Sequence, residues 1–291
     1  MKTPNIIDPH DFEKYLDDTA HLAKVVPADA FADDVAASFY APPEARGDTM
    51  PFPKLNHRFR FRPGEVTIWA GFNGHGKSLL LGQAMMHMIS GHAKKVCVAS
   101  MEMKPATTLQ RIVRQFFGSS QPTRDELSEF FTLIGEHFWL YDHQGVVQSR
   151  ELIAAMKYCA RDLGIHHFVI DSLMKCGMGE DDYNGQKSFV DQLCSIGRDS
   201  DMHIHLVCHS RKAGDESKVP GKMDIRGSGS ISDQVDNVIT VWRNKDERRP
   251  LGEDAVLQVD KQRNGEWEGK LMLTYNQSGQ SFQEFGDGQR S

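Results

Sequence analysis

The sequence predicts an α/β protein: a mostly parallel, helix-covered central sheet, continued by C-terminal antiparallel strands and preceded by a short helical extension. Two observations carry this expectation. Short apolar runs, "EVTIWAG", "KKVCVAS", "HFWLYD", "HHFVID" and "HIHLVCH", alternate with segments of helical length, the pattern of parallel strands buried on both faces. The alternation stops near Val235, after which "NVITVW", "AVLQVDK", "KLMLTY" and "SFQEF" follow without intervening helices, as antiparallel strands do. The 291 residues, 39% hydrophobic and 25% charged, suffice for one large core or two modest ones.

Residues 1–53 are expected to form an N-terminal helical extension and linker, and residues 54–291 the main domain. Asp8 can cap a helix with Pro9 at its first position, which places Phe12, Tyr15, Leu16 and Thr19 on one face. A second amphipathic piece spans about residues 28–40, with Phe31, Val35 and Phe39 opposite Asp29, Asp33 and Asp34. The Pro-containing "YAPPEARGDTMPFP" is a linker. Two short helices cannot build a core, so they are expected to dock elsewhere, a partly disordered tail being the alternative. Further helices are expected over residues 77–90 with a stop at Gly91, up to Gly118, over 149–163 with Gly164 closing, and around 189–198.

No stretch approaches the roughly 18 apolar residues of a membrane span, and the N-terminus lacks the apolar core of a signal peptide. A soluble cytosolic protein without a membrane partner is expected. The five cysteines form no CxxC pair and are expected to be reduced and structural. A net charge of −6 confines any nucleic-acid contact to a local basic strip.

The strongest chemical signal is Gly71-Phe72-Asn73-Gly74-His75-Gly76-Lys77-Ser78, a GxxxxGK[ST] sequence between an expected strand and an expected helix. A chance match is on the order of one per cent in a chain of this length, and the strand-loop-helix context lowers it further. Gly71, Asn73, Gly74, Gly76, Lys77, Ser78 and Leu79 are the expected nucleotide-binding positions. Backbone N–H groups close around the β-phosphate at a helix N-terminus, Lys77 meets the β/γ oxygens, and the Ser78 hydroxyl ligates Mg²⁺. The expected ligand is a nucleoside triphosphate, ATP or else dTTP or dATP, with Mg²⁺.

Asp171 ends the strand "HHFVID" and is the natural second metal ligand, since ligands gather at the carboxyl ends of such strands. A helix N-cap is its alternative role. Ser172 follows where many motor ATPases place the water-polarising Glu. Glu102, just past "KKVCVAS", is therefore the expected general base, with helix capping as the alternative. His209 ends "HIHLVCH" and faces the same edge, where it can sense the γ-phosphate. A zinc cluster of His203, His205 and His209 is disfavoured: period-two spacing puts them on one strand face without convergence, and no Cys or acid completes a tetrahedron.

In this order, these elements resemble the RecA-like motor domain of hexameric replicative DNA helicases, the DnaB type and the helicase half of phage and mitochondrial primase-helicases. The likeness spans about residues 61–275. Ser100-Met101-Glu102-Met103 is similar to the family's S-x-E-M segment with its catalytic Glu, Asp171 to its metal-binding Asp, and His209 to its γ-phosphate sensor. "DIRGSGSISDQVDNVITVWRN", residues 224–244, resembles the family's last motif, whose R-x-S-G backbone touches DNA phosphates. The resemblance implies a RecA-like P-loop core and an ATP-dependent motor that moves 5′ to 3′ on single-stranded DNA as a homohexamer. It also implies that the N-terminal helices dock on a neighbouring subunit. A RecA- or KaiC-like ring or filament ATPase, or an ATP-switched DNA-binding or loader protein, are the rival readings. No primase, zinc-binding or DnaB-type helical segment precedes the motor, which fits a helicase-only chain, a truncated one, or a motor served by a separate primase and polymerase.

The resemblance also explains "DKQRNG", residues 260–265. In the family the Lys and Arg of a KQR segment reach the neighbour's γ-phosphate, which assigns that role to Lys261 and Arg263. They are two residues apart, so one strand would deliver both charges; a solvated hairpin edge carrying cations is the alternative. Arg243 and Tyr275 would sandwich the nucleotide base by the same resemblance, or else be surface or core. Arg211, Lys212, Lys218, Lys222 and Arg226 form a basic, Gly-containing loop after the His209 sensor, and Gly227, Ser228 and Gly229 let backbone approach phosphate closely. Six such loops would line a channel for single-stranded DNA, although a solvated surface loop has the same composition. The acidic loop at residues 179–186 is a second candidate near that channel.

Overall fold

A computed structural model of the chain describes residues 5–6, 9–16, 27–42, 46–211, 216–227, 229–246, 248–250 and 254–286. Apolar five-residue runs make β2 (Val66–Ala70), β3 (Val96–Ser100), β5 (His167–Asp171) and β6 (His203–Val207), every residue of which is buried. With β1 (Asn5–Ile6), β4 (Phe138–Leu140), β7 (Asn237–Arg243), β8 (Ala255–Gln262), β9 (Gly269–Asn276) and β10 (Ser281–Glu284), they form one sheet among the described residues. Its order is β1-β4-β3-β5-β6-β2-β7-β8-β9-β10. Pairing is parallel from β1 to β7 and antiparallel from β7 to β10, so the sheet turns antiparallel one strand later than expected: β7, the first strand after Val235, still runs parallel to β2, and the direction changes at β8.

Helices cover both faces. The pleat sends alternate β2 residues opposite ways. Val66, Ile68 and Ala70 enter one core with α6 (Ser149–Tyr158) and α7 (Tyr183–Ser200). Trp69 enters the other with α3 (Lys77–His92), α4 (Pro105–Phe117) and α5 (Arg124–Ile134). All five cysteines are free and buried. No helix among the described residues is long and apolar enough to cross a membrane.

Three helix ends differ from expectation. α3 runs past Gly91, and Ala93 takes the left-handed cap at φ 51. α7 begins at Tyr183, capped by Asp182 accepting from the Gly185 N–H. α5 lies in a stretch the apolar pattern did not mark, yet its capping box of Thr123 and Glu126 is a legible start signal. Gly118 and Gly164 terminate their helices in the left-handed region, as expected, the latter after a π turn at Cys159–Leu163.

The N-terminal segments behave differently from one another. α1 (Pro9–Phe12) and the 3-10 turn after it dock on this chain, correcting the expectation that both pieces wait for a neighbour. Phe12 is buried in the α6-side core, and Lys14 Nζ and Tyr15 Oη donate to Asp162 at 2.8 and 2.5 Å. Asp8 and Thr19 lie outside the described residues. α2 (Ala32–Tyr40) leaves Phe31, Val35 and Phe39 exposed. Met50 and Phe52, in the expected linker, are buried in the Trp69-side core.

The opening edge of the sheet holds a polar cluster. Contrary to expectation, His203 and His205 converge, joined by His167 from the neighbouring strand, with ring centroids 4.6–5.6 Å apart; His209 is at the other end. Trp69 Nε1 donates to His205 Nδ1 at 3.1 Å, and because an indole N–H only donates, the remaining protons are fixed in turn. His205 Nε2 donates to His167 Nδ1 at 3.1 Å, and His167 Nε2 to Asp48 at 2.9 Å. His203 donates to the Arg62 carbonyl at 2.6 Å and accepts from the Thr67 hydroxyl at 2.8 Å. The ring nitrogens are thus spent on hydrogen bonds that tie residue 48 to the sheet.

Burial, aided by the neighbouring His167, depresses His203 to about 3; His167 and His205 are lowered for the same reason. The folded state binds fewer protons than the unfolded chain below the ordinary imidazole pKa of about 6.5, so stability falls as pH drops from there toward the folded value. The slope is up to about 1.4 kcal/mol per pH unit for each imidazole kept neutral. The urea midpoint is expected to be lower near pH 5 than near pH 7, with a shallower dependence in His203→Gln. A midpoint independent of pH would mean that these rings ionise normally in the fold.

Candidate functional site

Parallel registry brings the site together. Ser100 of β3 pairs with Asp171 of β5, Ile170 of β5 with Leu206 of β6, and Trp69 of β2 with Val207 of β6. The segments leaving β3, β5, β6 and β2 therefore emerge at one edge, carrying Glu102, Asp171, His209 and the phosphate loop. They surround a cavity of about 450 Å³ lined by Asn73, Gly74, Gly76, Lys77, Ser78, Leu79, Glu102, Asp171, His209 and Arg243, a volume suited to a nucleotide. A smaller apolar space of about 40 Å³ lies behind Ser78 and Asp171, between α3 and α4.

The loop backbone needs its glycines. A Cβ on Gly71, at φ 146, would sit 2.2 Å from the Val241 carbonyl oxygen, and one on Gly76, at φ 92, 2.7 Å from the Phe282 ring. Gly76 ends the loop and starts α3, whose first N–H groups have no intrahelical partners. β10 braces this turn: Gln83 on α3 exchanges two hydrogen bonds with the Phe282 backbone, at 2.7 and 2.9 Å.

Lys77 Nζ donates to the Gly71 and Phe72 carbonyls, both at 2.9 Å. Burial lowers its pKa to about 8 against the opposing pull of Asp171, Cys208 and Glu102. Ser78 Oγ donates to Asp171 Oδ2 at 2.6 Å. Burial raises the Asp171 carboxyl, with the Ser78 hydroxyl working against it and Glu102 reinforcing it. A hydroxyl beside a buried carboxylate is a hard oxygen pair that fits Mg²⁺. Among the described residues no group of three or more His, Cys, Asp or Glu could hold an ion, which leaves the remaining ligands to phosphates and water.

Ser172, passed over in the sequence except as the residue where a Glu was missing, is fully buried and links Glu102 to His209. Its hydroxyl donates to Glu102 Oε1 at 3.0 Å and lies 3.5 Å from His209 Nε2, which is 3.6 Å from the same Glu102 oxygen. His209 and then Ser172 hold the Glu102 carboxylate down to about 2 against burial. Arg111, Met103 and Gln280 also line the cavity. Met103 belongs to the S-x-E-M segment, but no local signal marks Arg111 or Gln280, because α4 and the β9–β10 turn reach the site only through the fold.

Arg243 and Tyr275 come together, the guanidinium 3.7 Å from the ring centroid, at the cavity margin. Lys261 and Arg263 do not join their own phosphate loop. β8 runs antiparallel, so Gln262 pairs with Asn237, at the start of β7 beside Thr67 of β2. That is roughly 13 Å of strand before Gly71, at the opposite edge. β8 stops at Gln262, so Arg263 sits in the turn and not on the strand as expected. Both cations serve the end of α8 (Ile231–Gln234): Lys261 donates to the Ser232, Asp233 and Val235 carbonyls, and Arg263 pairs with Asp236 at 2.9 Å and donates to Asp233 and Gln234. Arg263 keeps its side chain 45% exposed.

The basic loop packs beside His209. Arg226 N–H donates to the His209 carbonyl at 2.7 Å, Ser210 and Ile225 form a β-bridge, and Arg211 donates to the Gly227 carbonyl at 2.9 Å. Lys218 and Lys222 are exposed, as is Gly229; Lys212 and Ser228 lie outside the described residues. The acidic loop touches this strip through the Arg226–Glu180 ion pair. A Cβ on Gly227 would sit 2.3 Å from Gln186, so this glycine makes room for that side chain within the fold.

The chain matches the DnaB-like helicase C terminal domain over residues 49–284. It is similar to the DNA helicase/primase of Enterobacteria phage T3, 24% identical over 207 residues, covering 63% of this chain and 36% of that protein. It thus spans about a third of the length of this curated relative. Among solved structures, an ATPase domain aligns with a TM-score of 0.78 at 16% identity, covering 91% of this chain and 100% of that one. A DnaB-like replicative helicase, described with its interactions with primase, aligns with a TM-score of 0.77 at 16% identity, covering 88% and 68%. The fold is that of the RecA-like ATPase domain found in such helicases.

Ser172→Ala removes one donor from Glu102. Nucleotide hydrolysis is expected to lose roughly tenfold in kcat, the worth of one hydrogen bond of about 1.4 kcal/mol, with KM retained. The acidic limb of its pH profile should move upward, because a carboxylate with fewer donors binds protons more readily. An unmoved limb with unchanged kcat would show that Ser172 does not hold the base.

Proposed function

Because the chain belongs to the DnaB-like helicase C-terminal domain family, we propose that it is the ATP-driven motor of a replicative DNA helicase. It works in the cytosol as a homohexameric ring and translocates 5′ to 3′ on single-stranded DNA. The observation that carries the shared-site geometry is the position of Lys261 and Arg263 at the sheet edge opposite their own phosphate loop. Cations so placed serve a nucleotide only across a boundary between copies.

In this reading residues 54–291 are the motor and residues 1–53 its extension, of which α2 and the turn before it do the docking while α1, Met50 and Phe52 pack on their own chain. The exposed Phe31, Val35 and Phe39 seat on the next subunit, where the groove between α4 and α5, lined by Leu109, Val113, Leu127 and Phe131, offers an apolar surface. A separate primase and a replicative polymerase work with the ring.

The triphosphate of ATP, or of dATP or dTTP, lies against the backbone of Gly71, Asn73, Gly74 and Gly76 and along Lys77, Ser78 and Leu79, with its base at Arg243 and Tyr275. Ser78 and Asp171 hold Mg²⁺, which neutralises phosphate charge when bound. Glu102 accepts the proton of the attacking water and His209 hydrogen-bonds the γ-phosphate. Lys261 and Arg263 of the neighbour stabilise the charge of the transferring phosphoryl group, a role worth about 10³ or more in rate in related chemistry. The strand is gripped by Arg211, Lys212, Lys218, Lys222 and Arg226 and by the backbone at Gly227, Ser228 and Gly229. Phosphate contact of this kind ignores base identity.

Glu102→Ala and Arg263→Ala subunits should each be nearly inactive alone. Mixed and shown to exchange, they form some interfaces with an intact Glu102 beside an intact Arg263, and DNA-stimulated ATP turnover is expected to return. Exchange without recovery would remove the trans role of Arg263. Recovered turnover without displacement of a paired strand would favour a ring ATPase that does not unwind.

A further inference from the structure

His75 occupies the middle of the phosphate loop, where it is 1% exposed and packs edge-on to Phe72 at 5.3 Å. The Arg243 N–H donates to its Nδ1 at 3.1 Å. A backbone N–H only donates, so Nδ1 is an acceptor and the proton of the neutral ring is on Nε2. Burial, and then the charge of Lys245, hold the imidazole down to about 4, hence neutral at physiological pH. Nε2 is buried and points 3.6 Å from Glu216 Oε2. Glu216 stands in the loop between β6 and the Lys222–Asp224 turn, the stretch that carries Arg211 and Lys218. Its carbonyl accepts from Trp242 Nε1 at 2.8 Å, and Trp242 precedes Arg243 at the base site. The basic loop is therefore fastened at one residue to both the phosphate loop and the strand that presents Arg243.

We propose that the His75–Glu216 contact is a positioning device that couples the basic loop to the phosphate loop, so that a bound strand alters nucleotide affinity through it. The assignment rests on the DNA-motor reading above. A strand that draws the basic loop toward its phosphates pulls Glu216 away from His75. The ring then resettles between Gly74 and Gly76, where the backbone meets the nucleotide. Linkage makes the effect reciprocal, so ATP alters strand affinity by the same factor. Glu216 itself touches neither ligand, which separates coupling from binding.

The test is the ATP KM of the intact ring with and without single-stranded oligothymidine, checked against the Kd of a non-hydrolysable ATP analogue because KM equals Kd only when chemistry is slow. In the wild type the ratio is expected to lie within the roughly 5–150-fold range usual for coupled sites. In Glu216→Ala it should fall to about twofold or less, while the DNA-free KM and the nucleotide-free affinity for the oligonucleotide change by less than about twofold. Glu216→Gln, which keeps size and removes charge, should give the same result and guards against misfolding of the alanine variant. His75→Gln added to Glu216→Ala should cost no further coupling. A full ratio in both Glu216 variants, or further loss in the double variant, would overturn the proposal. A wild-type ratio of one would instead strike the DNA-motor reading, and the proposal with it.

Discussion

Level parallel pairing of four strands is the constraint on which the site depends. Ser100 opposite Asp171, Ile170 opposite Leu206 and Trp69 opposite Val207 set the ends of β3, β5, β6 and β2 side by side. Each chain then leaves the sheet within reach of the next, and a slip of two residues in any pair would displace its side chain by about 7 Å. Glu102, Ser172 and His209 touch because of this registry. None is near another in sequence.

The phosphate loop adds a second constraint, that of space. Val241 and Phe282 press on it from the antiparallel side of the sheet so closely that Gly71 and Gly76 admit no side chain. The strands beyond β7 thus do more than extend the sheet. They shape the loop from behind, through Phe282 and the Gln83 hydrogen bonds, and present Arg243 on Tyr275 at its margin. Within that frame Lys77 faces two carboxylates whose settings differ: burial raises Asp171, while His209 and Ser172 hold Glu102 low. Burial thus favours the neutral form of the Asp171 carboxyl, while the His209 and Ser172 contacts favour the ionised form of Glu102, two different settings within a single cavity.

The opposite edge is built for rigidity. Trp69, His205, His167 and Asp48 form a hydrogen-bonded series with one proton per link, and Glu65 takes hydrogen bonds from Asn237 and Asn264. The turn after β8 is held there too, which gives Lys261 and Arg263 a firm base at the surface.

The sequence by itself determined the strand-helix alternation, the turn to antiparallel strands and the phosphate loop with its Lys77 and Ser78. These are local: a period, a run of apolar residues or a glycine spacing acts within a few positions. It also placed Glu102, Asp171 and His209 at one edge, because each lies at or just past the end of an apolar strand and strand ends share an edge in parallel sheets. The start of α5 was legible in Thr123 and Glu126, although the apolar pattern did not mark it. Tertiary structure alone decided what depends on distant partners. It made Ser172 the bridge between Glu102 and His209, recruited Arg111 and Gln280, drew His203 and His205 onto His167, and docked Phe12 on its own chain. It likewise sent Lys261 and Arg263 to the edge away from their own loop, because strand direction, which no single residue encodes, fixes where the end of a strand arrives.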